Sequence, residues 1–309
     1  MAILLAVLAA ATNAGASVLQ RKANLREAEA HRTGLAGLAH LLRQPLWLAG
    51  ISAVIVSFLL QAAALVVGQL SEVQPLMALD LPFSLLLASF VFPQRLGWRV
   101  WVEIAVMTGG IALFLYALHP TAGVPGGASG VAWAWCAGVT AGVVALLTGV
   151  GMRLAGVRRA ALLGIASGIA FALTAVFIAA ALAGGLSGEV FTRWQLYFVP
   201  VAGITAMVLL QEGLQAGPLV AVQPGVTLSD PVVAVVLGAL LFHEGLRTGA
   251  WLIPEVVGAA AVAWGAVRLS RSSIGTGPPN QGGASADDES SPAGRTAPGA
   301  SRAARRNRC

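Results

Sequence analysis

The sequence predicts an all-α, polytopic transmembrane bundle of about nine spans, built as inverted structural repeats with one span of the first half reduced. Three observations predict it. The 309-residue chain is 57% hydrophobic and 10% charged, with a mean hydropathy of +0.79, where a soluble domain carries about 25% charged residues. Apolar runs long enough to cross a bilayer recur along it; about 20 residues at 1.5 Å each span the hydrocarbon. A stretch of the first half also returns in the second. Gln61 matches Gln211, and then Gly68, Leu70, Val73, Gln74, Pro75, Leu79 and Pro82 match Gly217, Leu219, Val222, Gln223, Pro224, Leu228 and Pro231. These are seven identities across the fifteen positions from 68 to 82, where unrelated sequence gives roughly one or two.

The spans are expected at 2–19, 46–68, 74–92, 99–118, 131–151, 160–183, 195–213, 218–242 and 250–268. The first has no Lys or Arg before it, and Arg21-Lys22 follow, which favours a retained span over a cleaved signal peptide. The region 25–44 stands where a further first-half span would lie. It carries Arg26, Glu27, Glu29, His31, Arg32 and Arg43, too many charges for a crossing helix. An interfacial helix and an ordinary loop are both open for it. The eighth span lies five spans after the third, an odd number, so the two copies cross the bilayer in opposite directions. The transmembrane transporter domain is therefore set at 1–270, with halves of 1–120 and 131–270. The tail 271–309, rich in Gly, Pro, Ser, Ala and Arg, is expected to be disordered and cytoplasmic.

Basic residues set the orientation. Ten follow odd-numbered spans (Arg21, Lys22, Arg26, Arg32, Arg43, Arg95, Arg99, Arg153, Arg158 and Arg159), and only Arg193 and Arg247 follow even ones. Positive charge is retained on the cytoplasmic side, so Met1 is expected outside and the C-terminus inside the cytoplasmic membrane. Trp47, Trp98, Trp101, Trp133, Trp194 and Trp251 stand at span entries, where amphipathic rings favour the interface. The basic pI near 10.6 belongs to loops and tail rather than to a folded face, which argues against nucleic acid as a partner. Cys136 and Cys309 are the two cysteines, and no metal-ligand spacing exists.

The candidate site follows from the cost of charge in the membrane. Asp80, Glu103, Asp230 and Glu255 lie within spans, while Lys and Arg are confined to connections, span ends and tail. A carboxylate at mid-bilayer costs about 3 kcal/mol on insertion scales. With no basic partner expected at that depth, it must be protonated, face water or hold a cation. Asp80 and Asp230 sit beside Pro82 and Pro231, and Pro75 and Pro224 begin the same helices. Each helix is therefore expected to be broken, freeing carbonyls, and paired broken helices point to a midplane site. Asp80 and Asp230 are the candidate cation or metal ligands, against a reading in which each bonds locally. Gln61 and Gln211 are substrate candidates, with interhelical bonding as the alternative. Glu103 and Glu255 lie close enough to span ends to reach interfacial water. Gln74 and Gln223 are explained by solvent contact, and Thr12, Asn13 and Ser17 form a polar stripe read mainly as packing. Gly138/Gly142 and Gly164/Gly168 have the spacing of close helix contacts. No phosphate loop, nucleophile elbow or dinucleotide fingerprint occurs, so neither an enzyme nor a cofactor is expected.

The Pro-containing helix followed by Phe92-Pro93-Gln94-Arg95-Leu96 or Phe242-His243-Glu244-Gly245-Leu246, and then a Gly-rich helix, resembles the drug/metabolite transporter superfamily in its EamA-type members. Glu244 keeps the family's acidic residue, whereas Gln94-Arg95 replaces it in the first copy. The polar end of the first helix, the basic stretch and Gln44-Pro45-Leu46-Trp47-Leu48-Ala49-Gly50 are similar to the NIPA-type magnesium transporter branch. The resemblance implies a secondary transporter working by alternating access. Its cargo would be a small solute or divalent cation such as Mg²⁺, or a metabolite exported against protons. The expected partners are that substrate and the lipid bilayer, with a homodimer left open. A non-transporting membrane scaffold is the remaining alternative.

Overall fold

The computed structural model describes residues 1–29, 44–92, 96–121, 123, 128–185, 188–247 and 249–274. The region 30–43, which holds most of the expected interfacial segment, and the tail from 275 lie outside the described residues. Ten α-helices are described: α1 Ala2–Glu29, α2 Pro45–Val67, α3 Leu70–Met77, α4 Asp80–Val91, α5 Trp98–Leu118, α6 Gly130–Met152, α7 Gly156–Ala181, α8 Trp194–Ala216, α9 Leu219–Leu241 and α10 Leu252–Ile274. Counting α3 and α4 as one crossing, nine spans among the described residues are long and apolar enough to cross a membrane. The protein is thus an all-α, multi-pass membrane bundle.

Local chemistry sets the helix ends. Pro45 occupies the first turn of α2, where a missing N–H costs nothing. The Ser129 side chain accepts from the Ala132 N–H at 3.2 Å and caps α6. His119 ends α5 in the left-handed region at φ 37°. The break between α3 and α4 falls at Ala78–Leu79, four and three residues before Pro82. A proline ring presses on the carbonyl four residues back and removes one ladder donor, which places the bend at Ala78.

The second expected break is absent. Helix α9 runs unbroken from Leu219 to Leu241 with Pro224 and Pro231 inside it. Its partner α7 supplies the reason. A methyl group at Gly164 or Gly168 would collide with the α9 backbone at Val222 or Val226, so the two backbones lie in direct contact. Ser229 on α9 donates its hydroxyl to Ile165 O of α7 at 3.0 Å and is also 2.7 Å from Gly225 O. Contact along this length holds α9 straight. The other expected contact stripe, Gly138/Gly142, has nothing within 4 Å of either position and is not a packing motif.

Helix α7 is apolar all round, and 78% of its central window is buried, as expected for a core helix. It packs on α6, α8 and α9, while α1 packs on α2, α3 and α4, and α5 pairs with α10. Helices α2, α6 and α8 turn large apolar side chains such as Ile55, Leu146 and Ile204 outward, the surface a bilayer would cover. Trp133 departs from its expected interfacial place. It is buried and packs against Phe177, Trp194 and Phe242, since the ends of α6, α7, α8 and α9 converge on it.

Contacts near helix ends fit alternate crossings. One face joins the start of α3 to the α9–α10 connection, and Thr121 pairs with Gly245. The opposite face carries Arg21 over Phe92, Arg159 with Glu212, and Arg268 with Glu103.

Candidate functional site

Depth is the first property of the site. Asp80 is eleventh of the 22 residues of its span, Asp230 twelfth of 23, and Asn13 twelfth of 22. At 1.5 Å per residue each stands about 15 Å from either end of its helix, at the middle of the hydrocarbon. The fold brings the three together. Asn13 Nδ2 donates to Asp80 Oδ2 at 3.2 Å, and Pro75 and Ala78, just before Asp80, line one small cavity with Leu228 and Pro231, which flank Asp230. The constellation thus joins α1 and α4 of the first half with α9 of the second.

The two carboxylates differ in support. Asp80 is the first residue of α4, and its carboxylate accepts from Asn13 across to α1. Asp230 sits in the middle of an unbroken helix whose backbone donors are engaged. Its Oδ1 is buried and has no hydrogen-bond partner among the described residues. A buried polar atom left so costs about 1–3 kcal/mol unless something occupies it. The site therefore has one anchored and one unsatisfied carboxylate, which suits a bound cation or proton.

The other residues expected at the site are placed elsewhere. Gln61 donates to Gln74 Oε1 at 3.5 Å, joining α2 to α3, which is the interhelical alternative. Gln74 is 2% exposed rather than solvated. Gln211 is corrected outright. The face of α8 buried on α7 carries Ala202, Ala206, Leu209 and Gly213, and Gln211 points away from it into the surroundings. Glu103 is also corrected. Arg268 Nε lies 3.1 Å from its Oε1, so a basic partner does reach a carboxylate inside a span. Sequence counting places Arg268 at the end of the ninth span, but α10 continues to Ile274 and carries Arg268 alongside α5. Glu255 is buried in the first turn of α10, where the helix dipole favours an acid. Pro75 lies within α3, Pro82 in the first turn of α4, and Pro224 and Pro231 within continuous α9.

Two residues gain weight from the structure. Asn13 stands in a polar stripe, and its depth, matching that of Asp80 and Asp230, is the signal that singles it out. Glu244 caps α3 across the two halves: its carboxylate accepts from Leu70 N at 2.8 Å, from Ser71 N at 3.1 Å, and from the Ser71 hydroxyl.

A cavity of about 330 Å³ lies between α6, α7 and α9, lined by Trp135, Cys136, Thr140, Ile169, Val233 and Leu237 among others. Its apolar lining contains none of the polar site residues. A second, of about 30 Å³, touches Pro75 and Pro231. No group of three or more His, Cys, Asp or Glu that could hold a metal occurs among the described residues.

The chain is similar to an uncharacterized protein of Corynebacterium glutamicum, with 27% identity over 258 residues, covering 81% of this chain and 88% of the relative. No family model matches the chain, and no solved structure matches it.

Proposed function

We propose that this protein is a secondary carrier of the drug/metabolite transporter type. It would work by alternating access in the cytoplasmic membrane, with a cation bound between its halves. The observation that carries the reading is the bonded pair Asn13–Asp80 at mid-span depth, with Asp230 of the other half at the same depth on a helix that lines one cavity with the segment before Asp80. Unpaired acids are costly there and earn a place where they bind something. Rocking of the halves would expose the shared site to each side in turn.

A hydrated divalent cation of the Mg²⁺ kind suits two carboxylates and an amide. Mg²⁺ dehydrates reluctantly and keeps several waters when few protein ligands are offered. Proton-coupled export of a small metabolite is the second reading. The buried Asp230 Oδ1 favours it, because a transported proton could occupy that position without a full ligand shell.

Flux in proteoliposomes separates the two. Mg²⁺ flux independent of a pH gradient is expected for the first reading, and gradient-driven movement of a small metabolite without Mg²⁺ flux for the second. Asp80→Asn with Asp230→Asn should abolish either. Mg²⁺ flux persisting in the double variant would remove the pair as the cation site.

A further inference from the structure

Glu244 bridges the halves at a point the cation site does not use. It lies in the α9–α10 connection, yet its carboxylate is 6% exposed and reaches the first turn of α3. It accepts from the first two N–H groups of that helix and from the Ser71 hydroxyl. The pocket is shaped for it: a methyl group at Gly238 would stand 2.6 Å from Glu244 Oε2. The same connection pairs with the α5–α6 connection, through Thr121 N to Gly245 O at 2.9 Å and Arg247 N to Leu118 O at 3.2 Å. Helix α3 is eight residues long and ends at the Ala78–Leu79 break that precedes Asp80. Its start is thus held by the opposite half, and its end is a ready hinge beside the cation site.

We propose that Glu244 is a latch that shuts this face of the carrier and positions α3 against the second half. The inference rests on the two-half carrier reading. With the carboxylate engaged, α3 is pinned and the path from this face toward Asp80 is closed. With it disengaged, α3 swings about Ala78–Leu79 while α4 stays in place. The repeat sharpens the argument. Gln94 stands in the first copy where Glu244 stands in the second, and an amide offers one neutral acceptor in place of a two-oxygen anion. In the structure all three Glu244 bonds are made, so the protein rests with the Glu244 face shut.

The test uses the full chain with Cys136→Ser and Cys309→Ser, carrying Val73→Cys as reporter. Val73 lies in α3 and is 0% exposed. A membrane-impermeant maleimide is added to vesicles of each orientation. With Glu244 intact the reporter should resist labelling. In Glu244→Gln and in the shorter Glu244→Asp, labelling from the Glu244 face should accelerate by about tenfold or more, as expected for losing charge-assisted hydrogen bonds. Ser71→Ala and Gly238→Ala should give smaller rises, and they carry the test if the Glu244 variants do not fold. Labelling that stays at the parent rate in all folded variants overturns the latch and leaves the carrier reading untouched. That reading fails separately, on absence of flux in the unmodified protein.

Discussion

Surroundings divide the four carboxylates that the sequence selects. Asp80 and Asp230 stand at the same mid-span depth, Glu255 is placed by its helix start, and Glu103 is held by Arg268. The Glu103 pair is lopsided, with side-chain exposures of 5% for the acid and 43% for the guanidinium. Removing the acid leaves a cation that reaches water and lies 5.6 Å from the Trp264 ring. Removing the cation strips the guanidinium from a buried anion. Arg268→Ala should therefore cost more stability than Glu103→Gln, by about 1–3 kcal/mol, read from thermal unfolding in detergent. Equal losses, or a larger loss in Glu103→Gln, would show that the pair does not act this way. Proline and repeat position made Asp80 and Asp230 legible in the sequence. Asn13 was hidden because an amide in a polar stripe looks the same whether it packs or binds, and only its depth separates the two. Gln211 misled because a sequence match fixes position along a helix but not which neighbour covers the face. Gln61 faces α3, whereas its counterpart on α8 faces away from α7.

At the level of elements, the spans were legible because each is an apolar run interrupted by polar or small residues. Trp98–Leu118 and Gly130–Met152 lie within a residue of 99–118 and 131–151, while Leu70–Val91 and Gly156–Ala181 begin four residues before the expected 74 and 160. The behaviour of the proline helices was not. Prolines 75 and 82 stand in a span that breaks, while 224 and 231 stand in one that does not. The difference lies in the partner: α7 presents Gly164 and Gly168 to α9, and no residue of α9 reveals that contact. Gly168→Ala should expose the dependence, because its methyl would meet the Val226 carbonyl at 2.8 Å and overlap the Ser229 hydroxyl. Overpacking of this kind costs about 1–3 kcal/mol, which should lower the thermal midpoint by several degrees. Gly142→Ala is the matched control, having nothing within 4 Å of its new carbon, and should leave the midpoint unchanged. Equal behaviour of the two variants would remove close backbone contact as the reason α9 stays straight.

Parity is the property that belongs to the whole molecule. Nine crossings place the two ends of the bundle on opposite sides of the membrane, and ten would place them on the same side. The described contacts fit alternate crossings from α2 to α10, since every end-to-end pair joins helix termini that such crossings put on one face. The open element is the region 30–43, whose charges argue against a crossing. The distribution of basic residues predicts that α10 ends in the cytoplasm. The placement of α1 agrees: it runs antiparallel along α2, with Ala2 beside Gly68, Gln20 beside Gly50 and Arg21 over Phe92, so its end lies on the face where α2 starts and its start on the opposite face. A reporter that matures only in the cytoplasm, fused after Cys309, should therefore be active, and a tag placed before Met1 should be reachable on intact cells. An active reporter with an unreachable tag would put both ends of the bundle on one side and overturn the antiparallel packing of α1 on α2.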